Sequence, residues 1–398
     1  MNVTKLREKL RVSVALGTRP EAIKLLPVVR ELRKHPDCLD CRVIASGQHR
    51  ELLDQVLEVF TVVPDADLHL MQPGQKLETS FARALVGMSE ELGSHRPDIL
   101  LVEGDTTTVF ASALAAFWQS CPVGHVEAGL RSGNVRDPFP EEMNRILTGC
   151  VADLHFAPTR RAAENLRNAG VPAERIHVTG NTVIDALLEI SKGPRSIPPE
   201  LTLDPKSTVV LVTVHRRESF GEPLREILSA LKEIARRFPA VEIVLPVHPN
   251  PQVHDEVHAM LGGVPRIHLV SPLSYVDFVG LLRSCRLVLS DSGGVQEEAP
   301  ALGKPVLVLR NTTERPEGVE CGVARLVGTS ADRIVGETAA LLEDPKVYDS
   351  MARSVSPYGD GRASRRIVEA VLHRFGLQGE RPEDFSPGTR GLDERTTQ

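Results

Sequence analysis

Residues 98–110 read DILLVEGDTTTVF, and two carboxylates, Glu103 and Asp105, stand where an apolar run stops. Residues 99–102 form a short continuous apolar stretch, the pattern of a strand buried on both faces of a parallel sheet. Gly104 between the acids permits a tight turn, and Thr106 to Thr108 can cap the helix expected over VFASALAAFW. A lone Asp before a helix is ordinarily a cap. This one has company, because LGTRPEAIK, HVEAGLR, VTVHRRES, LSDSGGVQEE and LRNTTERPE also place polar or charged groups where an apolar run ends. Together the segments read as a site.

Its binding half is clearest in SDSGGVQEEAPALGKP. Ser292, Gly293 and Gly294 open a helix after an apolar run, so free backbone N–H groups and the helix dipole suit a diphosphate. Glu297 and Glu298 follow one turn later, where a carboxylate can accept both hydroxyls of a ribose. LGTRPEAIK has one glycine where a dinucleotide fingerprint needs three, so NAD binding through that motif is not expected. It offers Arg19 at a helix start and Lys24 further along. Arg315 in TERPE, and Arg216 with Arg217 after His215, add donors of the type that grips phosphate bidentately. If Asp105, Glu127 in HVEAG and Glu141 in DPFPEEMNR converge with His215, they supply acid–base groups around an anionic leaving group. That set suits removal of a proton beside a departing phosphate ester. HDEVH puts His254 and His258 four apart, but Asp255 stands where a zincin needs Glu and no third ligand is evident, so no metal is expected. CLDC at Cys38 to Cys41 is a single CxxC pair beside a helix end, which reads as neither redox nor zinc chemistry.

Strands and helices must hold these groups in place. RVSVALG, CRVIASG, DILLVEGD, CPVGHVEAG, ADLHFAPT and RIHVTGN alternate with amphipathic stretches such as PEAIKLLPVVRELRKH. After SKGPRSIPPELTLDPKS the alternation restarts with TVVLVTVH, VEIVLPVH, RIHLVSP, CRLVLSDSG and KPVLVLRN. The expected fold class is α/β, with two Rossmann-like doubly wound domains and a cleft between them. The expected boundaries are 1–190 for the domain bearing the carboxylates, 191–207 for a linker and 208–357 for the second domain. A C-terminal helix over 358–377 would brace the first domain, and 378–398 would be a disordered tail.

At 398 residues the chain is long enough for two cores, and its net charge of -6 argues against a general nucleic-acid binder. The N-terminus is too charged for a signal peptide and no apolar run reaches membrane-spanning length, which predicts a cytoplasmic protein without a membrane partner. Six cysteines in such a chain do not make a disulfide scaffold.

GTRPEAIKLLPVV, GDTTT, PVGHVEAGLR, PFPEEMNR, GNTVIDAL, HRRESFGEP, PVHPNP, DSGGVQEEAPALGKPVLVLRNTTERPEG and PYGDGRAS together resemble the non-hydrolysing UDP-N-acetylglucosamine 2-epimerases, from about Arg11 to Leu377. The resemblance implies a two-domain fold like that of the GT-B nucleotide-sugar glycosyltransferases, a UDP-sugar substrate, no cofactor and a homodimer. It implies interconversion of UDP-N-acetylglucosamine and UDP-N-acetylmannosamine through elimination of UDP to a glycal. It makes Asp105, Glu127 and Glu141 the catalytic carboxylates, with His215 near the glycosidic oxygen. Arg19, Ser292, Gly293, Gly294 and Arg315 would hold the phosphates, Glu298 the ribose, Phe278 would lie near the uracil, and Lys24 would support the acidic cluster. Gln48, Glu141, Arg216 and His248 match a second, activating nucleotide site of some bacterial relatives, whereas Glu51 and Gly74 depart from it. Glu103, Val214, Arg136 and Asp137 also depart from the common pattern, and as neighbours of the expected sugar pocket they admit a modified sugar. A hydrolysing epimerase and a glycosyltransferase of the same architecture are the competing enzymatic readings. A nucleotide-sugar sensor is the non-enzymatic one, and it would gain nothing from the acid–base cluster.

Overall fold

In the computed structural model, described over residues 9–47, 50–70, 75–194, 196–198, 201–353 and 355–388, the apolar runs become two parallel sheets. The first contains β1 (Leu10–Leu16), β2 (Leu39–Ala45), β3 (Ala66–Asp67), β4 (Ile99–Glu103), β5 (Val123–Val126), β6 (Leu154–Ala157) and β7 (Ile176–Val178), in the order β3-β2-β1-β4-β5-β6-β7. The second contains β8 (Thr208–Thr213), β9 (Val241–Pro246), β10 (Ile267–Val270), β11 (Leu287–Ser290), β12 (Val306–Val308) and β13 (Ala324–Leu326), in the order β10-β9-β8-β11-β12-β13. Both orders are doubly wound. Strand order reverses between β1 and β4 in one sheet and between β8 and β11 in the other, and ligands of open α/β sheets bind beyond the strand ends at such points.

The chain divides into two compact units, one over Met1–Ala186 and Gly359–Phe385, the other over Leu187–Tyr358 and Ser386–Gln398. In the first, β4 is buried along its whole length, and Leu100 and Val102 pack with Ala113, Ala116 and Val123. The helix Ala363–Arg374 packs on the helix Arg19–Leu32, and Asp185 accepts hydrogen bonds from the N–H groups of Ala363 and Ser364 at 3.1 and 2.7 Å. In the second, one face of the sheet packs Val210, Val212 and Leu289 against Leu224, Ile227, Leu231 and Ile334. The other face packs Leu211, Val288 and Val306 against Leu281, Leu282 and Ala299. Within the stretch 191–207, Leu201 is buried in that second core. Gly280 leaves room for the Ser196 carbonyl, which an added Cβ would approach to 1.6 Å.

One expectation is corrected. Residues 378–385 are not a disordered tail, because they cover β7, the last strand of its sheet. The Asp384 carboxylate accepts from Val178 N–H at 3.0 Å, Phe385 N–H donates to Val178 O at 2.6 Å, and the Phe385 ring is buried beside Ala157, Leu166 and Val178. An edge strand leaves N–H and C=O groups to be paired, and one aromatic in a polar stretch suffices to anchor the chain that pairs them.

Candidate active site

The first unit gathers its chemistry around a lysine. Thr18 caps the helix Arg19–Leu32, and Glu21, three residues on, reaches back to accept from Gly17 N–H at 2.7 Å and Thr18 Oγ1 at 2.9 Å. This is a capping box at the end of β1. Burial pushes the Glu21 carboxyl up to about 7, against the hydrogen bonds from Thr18, Thr106 and Gly17. One turn later Lys24 Nζ lies 2.8 Å from Glu103 Oε1 and 2.6 Å from Glu127 Oε2. Asn181 Nδ2 donates to the same Glu127 oxygen at 2.7 Å. The two carboxylates come from neighbouring strands: Glu103 pairs in register with Val126, and Glu127 is the next residue. Glu127 has φ +61, an unusual conformation for a residue with a side chain, and strain of this kind persists where the surroundings over-determine it.

Asp105 sits one turn further along the β4 loop and is held by a different cation. Arg145, on the helix Glu141–Val151, grips Asp105 Oδ2 through Nη2 and through Nε at 3.2 Å, while its Nη1 lies 2.9 Å from Glu142 Oε2. Asn144 Nδ2 donates to the Asp105 carbonyl at 3.0 Å. Glu142 in turn accepts from the N–H groups of Ser132 and Gly133 at 3.1 and 3.3 Å, which fastens the loop before the helix. Glu141 opens that helix with its Oε2 buried and without a hydrogen-bond partner among the described residues. Buried carboxylate oxygens are ordinarily satisfied, so this one has the capacity to accept a hydrogen bond from a ligand.

The second unit centres on Asp291, which is completely buried at the end of β11. Its carboxylate accepts from His215 N–H at 2.9 Å, Arg216 N–H at 2.8 Å and Ser219 Oγ at 3.2 Å, and its other oxygen lies 3.3 Å from His215 Nδ1. Burial lowers the His215 pKa, with Asp291 opposing. Ser292 is the N-cap of the helix Gly293–Ala301, as the motif predicts, although its side chain makes no capping bond. Gly293 admits Arg315: an added Cβ would stand 3.1 Å from its guanidinium carbon. Arg315 Nε donates to Glu297 Oε1 at 2.8 Å, and Arg315, Arg310 and Arg216 surround Glu314 at 3.1, 2.6 and 3.4 Å. Burial alone would raise the Glu314 carboxyl, but the three guanidinium groups hold it down to about 2. A cradle that stabilises one carboxylate so strongly is equipped for phosphate oxygens. Glu298 accepts from Tyr275 OH at 2.7 Å, and Phe278 packs against the core from the same helix as Tyr275.

The structure thus gathers Lys24 and Glu127 into one cluster, places Asp105 and Glu141 on the adjoining loop and helix, and leaves Arg19 half-buried at its helix start. In the other unit His215 lies against Asp291, Ser292 to Gly294 follow Asp291 at the helix start, Arg315 lies against Gly293, and Glu298 holds Tyr275. Two of the residues matching a second nucleotide site belong to the same neighbourhood, since the His248 ring stacks on His215 at 5.9 Å and Arg216 reaches Glu314. Gln48 and Gly74 lie outside the described residues. Among the departures, Val214 packs in the apolar core, Arg136 and Asp137 are exposed on a loop, and Glu103 is buried against Lys24. Sequence reasoning missed Glu21, Arg145, Asn181 and Asp291. Only the Thr-x-x-Glu spacing of Glu21 carried a local signal. Of the CxxC pair, burial pushes the Cys41 thiol up to about 12.

Three histidines of the first sheet, His125, His155 and His177, are buried, each with an Nδ1 that has no hydrogen-bond partner among the described residues. Burial lowers them to about 4, about 3 and about 4. As pH falls below 6.5 the unfolded chain takes up protons that the folded unit refuses, so these residues remove stability between neutrality and about pH 4. Glu21, raised to about 7, works in the opposite sense, losing stability as pH rises. His155→Leu isolates the histidine contribution. Between pH 7 and 5 its unfolding free energy relative to wild type should move in the variant's favour by about 2 kcal/mol in urea titrations. An offset independent of pH would show that His155 takes up its proton as readily in the fold as in the unfolded chain.

The family model described as UDP-N-acetylglucosamine 2-epimerase matches residues 30–372. UDP-N-acetylglucosamine 2-epimerase of Bacillus subtilis is 49% identical over 381 residues, covering 95% of this chain and 99% of its own length. The Escherichia coli K12 protein of that name is 50% identical over 370 residues, covering 91% and 98%. The crystal structure of the Neisseria meningitidis UDP-GlcNAc 2-epimerase bound to UDP-GlcNAc aligns with a TM-score of 0.85 at 44% identity, over 91% of this chain and 100% of that one.

Proposed function

Because this chain belongs to the UDP-N-acetylglucosamine 2-epimerase family, we propose that it interconverts UDP-N-acetylglucosamine and UDP-N-acetylmannosamine by eliminating UDP and adding it back. The C2–H of the sugar is not acidified by a carbonyl. It becomes removable only as the C1–O bond breaks, its electron pair leaving with UDP while positive charge develops at C1. A carboxylate takes the C2 proton, the C1–C2 double bond of the glycal forms, and return of a proton to the other face with re-addition of UDP gives the epimer. In this reading Asp105, Glu127 and Glu141 are the proton-transfer groups, Arg315, the helix start at Ser292 to Gly294 and His215 take the diphosphate, and Glu298 takes the ribose.

The observation that carries this reading is the pair of differently held carboxylates at adjoining strand ends: Asp105 clamped by Arg145, and Glu127 bridged to Lys24 and Asn181. A binding protein has no use for them. Incubating the protein with UDP-N-acetylglucosamine and separating the products by anion exchange should yield both UDP-sugars with little free UDP. Free UDP accumulating in step with free N-acetylmannosamine would replace this reading with hydrolytic epimerisation. The same reading includes a cytoplasmic homodimer. Val86, Phe117 and Trp118 support a second copy, being 57%, 55% and 63% exposed on the packed helices Leu77–His95 and Thr107–Trp118, and the six free cysteines suit a reducing compartment. Among the described residues no helix is long and apolar enough to cross a membrane.

A further inference from the structure

Glu103 has no role in the reaction just described, yet it is 1% exposed and contacts the Lys24 ammonium that also holds Glu127. The groups facing it are charged or titratable on every side. Glu21 and Lys24 come from the helix Arg19–Leu32 and Glu127 from the end of β5, while His125 on β5 holds the next residue, its Nε2 2.7 Å from Gly104 O. The Asp105–Arg145 pair closes the loop beyond. Two carboxylates within 2.6 and 2.8 Å of one ammonium, away from water, cannot both keep their negative charge without a large desolvation and repulsion cost, and such pairs retain one proton between them. The geometry points to a lysine-bridged carboxyl pair in which Glu103 holds the shared proton. The neutral Glu103 leaves the Lys24 charge to Glu127, and so keeps Glu127 ionised for proton transfer.

Glu103 is on this account a positioning residue. Burial raises its carboxyl well above the ordinary range, with Lys24 opposing and Glu127 adding to the rise, the direction required. When the shared proton leaves at higher pH, Glu103 becomes a carboxylate and competes for Lys24. Activity therefore falls on the alkaline side through a group that never touches the sugar.

The inference rests on the epimerase reading for its consequence, but its first test does not need turnover. Infrared spectra of the whole protein at about pH 8, above the value of Glu21, should contain the carbonyl stretch of a neutral buried carboxylic acid that Glu103→Gln removes. In the pH profile of kcat/KM, the alkaline limb of E103Q should lie higher than that of wild type by about one unit or more. An infrared band unchanged by E103Q, or alkaline limbs that coincide, overturns the proposal. Should E103Q not fold, the wild-type spectrum decides, since the neutral-acid band must persist at about pH 8 and its absence refutes the shared proton. A band that behaves as expected in a protein without epimerase activity would place the failure in the functional reading.

Discussion

Replacing Lys24 by Met should lower kcat/KM at neutral pH by about a thousandfold, and part of the loss should return as pH rises. The methionine keeps the length of the side chain and removes the ammonium that lies between Glu103 and Glu127. Deprived of it, Glu127 loses its ammonium partner and takes up a proton, because removing the cation from beside a buried carboxylate is costly. The acid limb of the pH profile should therefore move upward. A variant whose profile is displaced in height alone, with the limbs in place, would show that Lys24 acts by holding shape and not by holding charge. Stability must be measured alongside, since breaking a buried ion pair costs about 3–5 kcal/mol where the pair remains ionised, and the proton uptake expected here reduces that cost.

Asp105→Asn should be the second large effect. The amide matches the carboxylate in shape and keeps an oxygen for Arg145 Nε and Nη2, but it is neutral, so the clamp loses its charge assistance and the basic group is lost. Turnover should fall by about a thousandfold to ten-thousandfold while UDP affinity, measured by calorimetry, stays within about tenfold. That split separates a group used in the transition state from one used to bind. Retained epimerisation would take Asp105 out of the catalytic set and return it to a helix-start role beside Thr106, whose hydroxyl already caps the helix Thr107–Trp118.

Much of the fold is legible in the sequence for a simple reason. Strands buried on both faces must be continuously apolar, as in Ile99 to Val102 and Val209 to Val212, and turn chemistry follows them at once. The strand ends therefore announce themselves, and with them Asp105, Glu127, His215 and the Ser292-Gly293-Gly294 helix start. What the sequence does not show are contacts between distant elements. Arg145 lies 40 residues from the carboxylate it clamps, and Asn181 lies 54 from Glu127. Asp291 is concealed differently: it stands in a Gly-rich phosphate motif, and its work of fixing the backbone after β8 depends on β8 and β11 being neighbours. The C-terminal residues were misread because charge, Gly and Pro dominate them, and composition does not register that Phe385 and Asp384 meet an edge strand. Glu103 was visible from the outset as an acid without a task, and its burial beside Lys24 turns that puzzle into a testable property of the site.

The central claim is reversible elimination, with the C2 proton passing through groups that exchange with water. It is tested most directly by proton NMR of the full-length protein with UDP-N-acetylglucosamine in D2O. The account predicts UDP-N-acetylmannosamine carrying deuterium at C2, deuterium appearing also at C2 of the remaining UDP-N-acetylglucosamine, and little free UDP. A manno product that keeps its original C2 hydrogen would contradict it.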